Sequence, residues 1–291
     1  MRHLILPSEW LVGNETFEDS DGAARRWLEP QSSGANRAKM ILARLEDSGI
    51  AVPQHSRLHH YLRQQQLLSG DEVINIKELD ERLELLSLAE LKHWSLITRE
   101  LCNEPHLPQW RKLLQAAVCG PDLAPASARS DDSTRSFQFE LFLASALIAA
   151  KYSVQPAEPD LVIHLENVPI GIAAKRLRSH ANVAKNIRRA IRQIRNAGMK
   201  GIVALDLAFP EVLSCSSASF GPDLTRAAAA CVQHFIDRHI LPLQRLFGES
   251  ECAGVLIHVC RSALGTSGRI VSMGTSQWWD YGTTLTANSL P

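Results

Sequence analysis

Between Ala38 and Val118 apolar residues recur at three- and four-residue spacing with charge between them, the period of amphipathic helices. Four stretches carry it: RAKMILARLEDSG (37–49), SRLHHYLRQQQLL (56–68), IKELDERLELLSLAELKHWSLITREL (76–101) and QWRKLLQAAV (109–118). Gly49 and Pro53 punctuate the first two, and Ser69-Gly70 closes the second. Residues 1–36 carry no such period beyond a short β-like run at Leu4–Leu6. The stretch CGPDLAPASARSDDST (119–134) mixes Pro, Gly, Ala and Ser aperiodically and reads as a linker and domain boundary, or at least a long surface loop. After it the pattern changes. A helix over 136–150 precedes apolar, strand-like runs at 152–154, 161–165, 170–177 and 201–207, with a helix over 182–197 between the last two. A long Ala-rich helix, 224–247, leads to two more strands, GVLIHVC (254–260) and RIVSMGT (269–275). Helix, three strands, helix and strand, with further α and β appended, predict a three-layer α/β arrangement. The expected division is a mostly helical region over 1–125 and an α/β domain over 126–291.

Composition adds little until it is localised. The 291 residues are 45% hydrophobic and 21% charged, those of an ordinary globular chain, and the formal net charge is zero. The distribution is more telling. From Asn167 to Leu205 there is no acid, while Lys175, Arg176, Arg178, Lys185, Arg188, Arg189, Arg192, Arg195 and Lys200 all fall there. On the 182–197 helix, Val183, Ile187, Ile191 and Ile194 make an inward stripe, with Lys185, Arg188, Arg192 and Arg195 opposite. Asn186 and Gln193 share a flank, with Arg189 near them. An uncompensated cationic face suits the phosphate backbone of nucleic acid and predicts steep salt dependence. A solvated helix face is the competing reading.

Other classes recede. The six cysteines form no CxxC pair and no zinc-finger spacing, which fits reduced thiols in a cytoplasmic protein. The opening MRHLILPSEW is too short and too soon polar for a signal peptide, and no apolar run reaches the ~18 residues of a membrane span. There is no GxSxG, P-loop or GxGxxG, and the His55/His59 pair has neither an HExxH pattern nor a third ligand.

The chemistry concentrates in EPDLVIHLENVPIGIAAKRL (158–177) and the helix before it. Asp160 follows a proline at the first position of a strand, where proline costs no ladder hydrogen bond. Lys175 ends an apolar run that reads as buried on both sides, so its ammonium must snorkel or face carboxylates. Glu140, in FQFELFLASAL, sits on a helix apolar almost all round and needs a cation, a metal or donors nearby, a structural bond to an upstream Arg being the alternative. Arg176 should point to the opposite face from Lys175 and touch phosphate or solvent. Asp206 ends a core strand and either reaches the cleft or caps, and Trp278-Trp279 either stacks bases or closes the core.

These residues resemble the PD-(D/E)XK nuclease superfamily. The matching positions are Glu140 on the first helix, Pro159-Asp160, Lys175 in IAAKRL, the 182–197 helix and the strand GIVALDL (201–207). The resemblance implies a restriction-endonuclease-like core and Mg2+- or Mn2+-dependent cleavage of DNA, with RNA the alternative substrate. It implies catalytic roles for Asp160, Lys175, Glu140 and Gln193, and metal ligation by Glu140, Asp160 and the Ala174 carbonyl. Arg176, Arg178, Lys185, Arg188, Arg189, Arg192 and Arg195 would bind the nucleic acid. The setting in which divergent members occur is defence against phage or mobile elements. One position departs from the pattern: Ala173 stands where the second acid belongs. Either Glu140, or more weakly Glu166, replaces that acid, or the chain is a catalytically silent relative that binds nucleic acid or a partner protein. The N-terminal helices are the expected contact with a second copy or partner subunit.

Overall fold

The computed structural model describes residues 32–68, 81–103, 106–119, 133–207, 230–248, 250–264 and 270–280. In chain order the elements are α1 (Ser32–Asp47), α2 (Arg57–Leu68), α3 (Glu81–Leu101), α4 (Leu107–Val118), α5 (Ser133–Ala149), β1 (Val154–Ala157), β2 (Asp160–Leu165), β3 (Val168–Leu177), α6 (Val183–Asn196), β4 (Lys200–Leu207), β5 (Cys252–Leu264) and β6 (Ile270–Asp280). A further helical stretch covers 230–248. The expected strand at Leu4–Leu6 and most of the expected linker lie outside the described residues.

The fold is α/β with a mixed six-stranded sheet in which spatial order equals chain order, β1 to β6. The first three strands are an antiparallel meander. Glu158 and a cis Pro159 close the first hairpin. Glu166 and Asn167, both at positive φ, close the second, the backbone of a two-residue type I′ turn. Parallel strands need a longer crossover, and α6 supplies it between β3 and β4. Ser179 starts it: its Oγ accepts from the Ala181 N–H ahead of a short 3-10 turn at His180–Asn182. β5 joins β4 in parallel and β6 returns antiparallel.

Apolar burial falls into two clusters on the two faces of the sheet. One joins α1–α5 to alternate residues of the sheet, among them Ile170, Ile172 and Ala174 of β3. The other packs Val183, Ile187, Ala190 and Ile194 of α6 and Val232, Phe235, Ile236 and Ile240 against Ala173, Leu177, Val203 and Leu205. On α6, Ala190 rather than Ile191 completes the fully buried stripe, and Ile191 packs at its margin.

Among the described residues, Trp94, Trp110 and Ile97 of the helices before residue 125 share one cluster with Phe142 of α5 and with the sheet. One expectation changes. The stretch expected as one regular helix to residue 247 is interrupted, by a π-turn at Ile236–Ile240 and a 3-10 turn at Leu241–Leu243. Pro242 explains it, because its ring and missing N–H cannot continue the α-helical ladder. No helix among the described residues is long and apolar enough to cross a membrane.

Close approach of α6 to β4 depends on Gly201. A Cβ there would run into the carbonyl of Gly171 on the neighbouring strand and lie 2.9 Å from Ile194 Cγ2. Gly201→Ala is expected to cost about 1–3 kcal/mol by overpacking. The check is a lower urea midpoint at unchanged slope.

Candidate functional site

The site forms where two strands stop pairing. The β2–β3 ladder runs from Leu165↔Val168 to Leu161↔Ile172, whereas β3 continues beside β4 as far as Leu177↔Leu207. From Ala173 onward, β3 has lost β2 on one edge. The Asp160 side chain takes over: its Oδ2 accepts the Ala174 N–H at 2.8 Å, satisfying a backbone donor that the ladder has abandoned. The same Oδ2 accepts from Lys175 Nζ at 2.8 Å, and Nζ also donates to the Ala174 carbonyl at 2.8 Å. Both side chains are largely enclosed, Lys175 at 15% and Asp160 at 16% exposure.

Local packing places Asp160. Gly171 on β3 leaves room for Pro159, whose Cδ would lie 2.7 Å from any Cβ at that position. From α6, Gln193 Nε2 donates to the Pro159 carbonyl at 3.2 Å and approaches Asp160 Oδ1 at 3.4 Å. Gln193 therefore grips both members of the Pro-Asp pair. Its own Oε1 is buried and has no hydrogen-bond partner among the described residues.

Glu140 enters from α5. Burial pushes its carboxyl up from the ordinary 4.5 to about 8; Asp160 and Glu158 push the same way, and Lys175 opposes them. Glu140, Asp160 and Lys175 thus share one electrostatic neighbourhood. Three sequence-predicted residues, Asp160, Lys175 and Gln193, come together here with the Ala174 carbonyl, and Glu140 on α5 feels the charge of Asp160 and Lys175.

The chain matches no protein-family model, no curated protein and no solved structure. Chemical meaning must come from the site itself.

Its oxygen donors are two carboxylates and a main-chain carbonyl, a hard set suited to Mg2+ or Mn2+ rather than to a soft metal. Among the described residues no group of three or more His, Cys, Asp or Glu side chains assembles into a metal cluster. Ala173 is wholly buried in the apolar cluster beneath α6 and contributes only a methyl group. The Glu140 carboxyl, raised chiefly by burial and next by Asp160, is a group that nearby positive charge would favour in its ionised form.

Other expected residues go elsewhere. Arg178, Lys185, Arg188, Arg189, Arg192 and Arg195 are all exposed, as a backbone-binding face requires. Arg176 is not among them. Its side chain is 6% exposed, with Nη2 2.7 Å from Glu90 Oε1 and Nε 3.1 Å from Asp206 Oδ2. Strand alternation sends it away from Lys175, but α3 covers that face, so it meets acids instead of phosphate. Asp206 is its partner rather than a member of the cleft. Glu166 sits in the hairpin turn at the other end of β2 from Asp160 and cannot stand in for the missing acid. Trp278 and Trp279 lie on β6 opposite Leu256 and Val255. The described cysteines, Cys102, Cys119, Cys231, Cys252 and Cys260, are free thiols.

Sequence reasoning missed Glu90. The readable signal was its place on the inward stripe of α3, four, seven and eleven residues before the buried Trp94, Ile97 and Leu101. An acid at such a position demands a buried cation.

The raised Glu140 affinity has a signed consequence for stability. Between pH 4.5 and about 8 the unfolded chain releases a proton that the folded chain retains, so this group makes the fold less stable as pH rises. Glu140→Gln removes that dependence. In metal-free buffer the melting temperature of Glu140→Gln minus that of the unaltered chain should increase steadily from pH 5 to pH 8. A pH-independent difference would contradict the coupling.

Proposed function

We propose that the chain is a metal-dependent nuclease of the PD-(D/E)XK type, with a restriction-endonuclease-like core running from α5 to β4. The observation that carries this reading is the convergence of Asp160, Lys175 and Gln193 at the end of the β2–β3 ladder, with Glu140 in the same field. The order α5, three antiparallel strands, α6 and a parallel β4 supports it.

In this reading Asp160, Glu140 and the Ala174 carbonyl hold Mg2+ or Mn2+. Bound there, the cation supplies charge stabilisation at a phosphoryl oxygen and a more acidic water. Lys175, freed from Asp160 Oδ2, aligns the attacking water and stabilises charge building on the phosphate. Gln193 fixes the direction of the Asp160 carboxylate through its bond to Pro159. The exposed cations of α6 hold the backbone, DNA before RNA, and α6 contributes no acid to oppose them.

A second reading rests on its own observation. Lys175 already bridges Asp160 Oδ2 and the Ala174 carbonyl, and Ala173 supplies no further acid. A catalytically silent chain that binds nucleic acid through α6 would have this internally compensated arrangement.

Incubation with duplex DNA, single-stranded DNA and RNA in Mn2+ and in Mg2+ separates the two. The proposed nuclease cuts at least one of them, and Asp160→Asn and Lys175→Met each slow cutting by about 100-fold or more while retaining binding. Salt-sensitive binding with no cutting on any substrate leaves the silent reading. Absence of both sinks the two together. For duplex binding, Arg188→Gln with Arg192→Gln should lower the slope of log affinity against log salt by about 0.9 per phosphate contact removed.

A further inference from the structure

Arg176 follows Lys175 in sequence but faces the other side of the sheet. There its guanidinium is held between Glu90 of α3, 2.7 Å away, and Asp206 of β4, 3.1 Å away. Asp206 is its register partner in the parallel β3–β4 ladder, and His258 of β5 is in turn the register partner of Asp206. The His258 Nε2 lies 3.2 Å from His93 Nε2 on α3, and the Phe142 ring of α5 stacks on His93. Burial works against the charged guanidinium, yet Glu90 and then Asp206 outweigh it and hold the group protonated. An ion-pair cluster thus joins β3 to β4 and is closed from one face by α3, with the buried His258 imidazole on the neighbouring strand.

The placement matters because of what β3 lacks. Beyond Ile172 the strand has no β2 partner and is paired on its β4 edge alone, and this length carries the Ala174 N–H, the Ala174 carbonyl and Lys175. We propose that Glu90, Arg176 and Asp206 are positioning residues for the Asp160–Lys175 centre: α3, acting through Arg176, fixes the end of β3 from the opposite face of the sheet. A buried, two-sided ion pair suits this task, since a guanidinium desolvated between two acids has one favourable geometry and a high cost for leaving it. What the centre does chemically rests on the function proposed above; the positioning itself is readable without any catalysis.

The test follows two atoms that Arg176 does not touch. Glu90→Gln retains the shape of the side chain and removes its charge. Amide exchange at Ala174, read by NMR, and acylation of Lys175 by acetic anhydride, read by mass spectrometry, should both become about tenfold faster, the scale of one lost hydrogen bond to a charged group. The amides of Ile163 and Ile170, inside the intact ladder, should exchange as before. Where metal-dependent cutting is measured alongside, kcat falls and KM for nucleic acid stays constant. Arg176→Lys, which retains the charge, should lie between Glu90→Gln and the unaltered chain. If Glu90→Gln does not fold, Asp206→Asn is read by the same criteria. A folded variant with unaltered Ala174 exchange and Lys175 acylation overturns the proposal. Uniformly faster exchange along all of β3 also overturns it, because that is general loosening. Failure of the unaltered chain to cut nucleic acid defeats the proposed function and leaves these two measurements to decide the positioning.

Discussion

A backbone amide that loses its strand partner must find another acceptor, and in this protein the Ala174 N–H finds the Asp160 carboxylate. Much of the site's arrangement follows from that substitution. Because β2 begins at Asp160 while β3 runs on beside β4, the sheet opens at one edge without leaving the donor unsatisfied. The carboxylate that repairs the opening is brought to the neighbouring ammonium and the glutamine of α6 by the same geometry. Structural repair and candidate chemistry are the same contact. A charged acceptor is also stronger in this role than a neutral one.

The two faces of β3 divide the labour. Ala173 and Leu177 look toward α6 and are apolar, while Ile172 and Ala174 belong to the cluster under the first five helices. Charge enters only at Lys175 and Arg176, one toward each side, and each is met by acids. Both ion pairs are mostly shielded from water, so their strength comes from low dielectric as much as from distance. The cost of burying them is offset only while every partner stays in place.

Much of this was legible in the sequence, and the limits have physical causes. Periodicity located α5, α6 and the strands between them because burial on one face of a helix or both faces of a strand leaves a strong apolar imprint. Asp160 and Lys175 stood out by residue type and spacing and Gln193 only through the resemblance, while the acid-free run 167–205 marked the exposed cations of α6. The destination of Arg176 was not. Alternation gives the face on which a side chain emerges, never what covers that face, and the cover here is a helix 86 residues away. The length of β5 and β6 also escaped, since the ladder from Arg261↔Met273 to Leu264↔Ile270 is held by backbone bonds that leave no mark on hydropathy. Ala173 pointed to a missing acid, and the structure gives the apolar reason for its neighbours: it is wholly buried beneath α6.

One cluster joining the first five helices to the sheet bears on how such a chain can change over evolutionary time. Between α4 and α5 runs the aperiodic stretch 119–134. A crossover there would bring in a foreign α3, and Arg176 would keep its charge without the Glu90 that compensates it. A first half from elsewhere would therefore leave a buried guanidinium with Asp206 alone unless it too carried an acid at the position of Glu90.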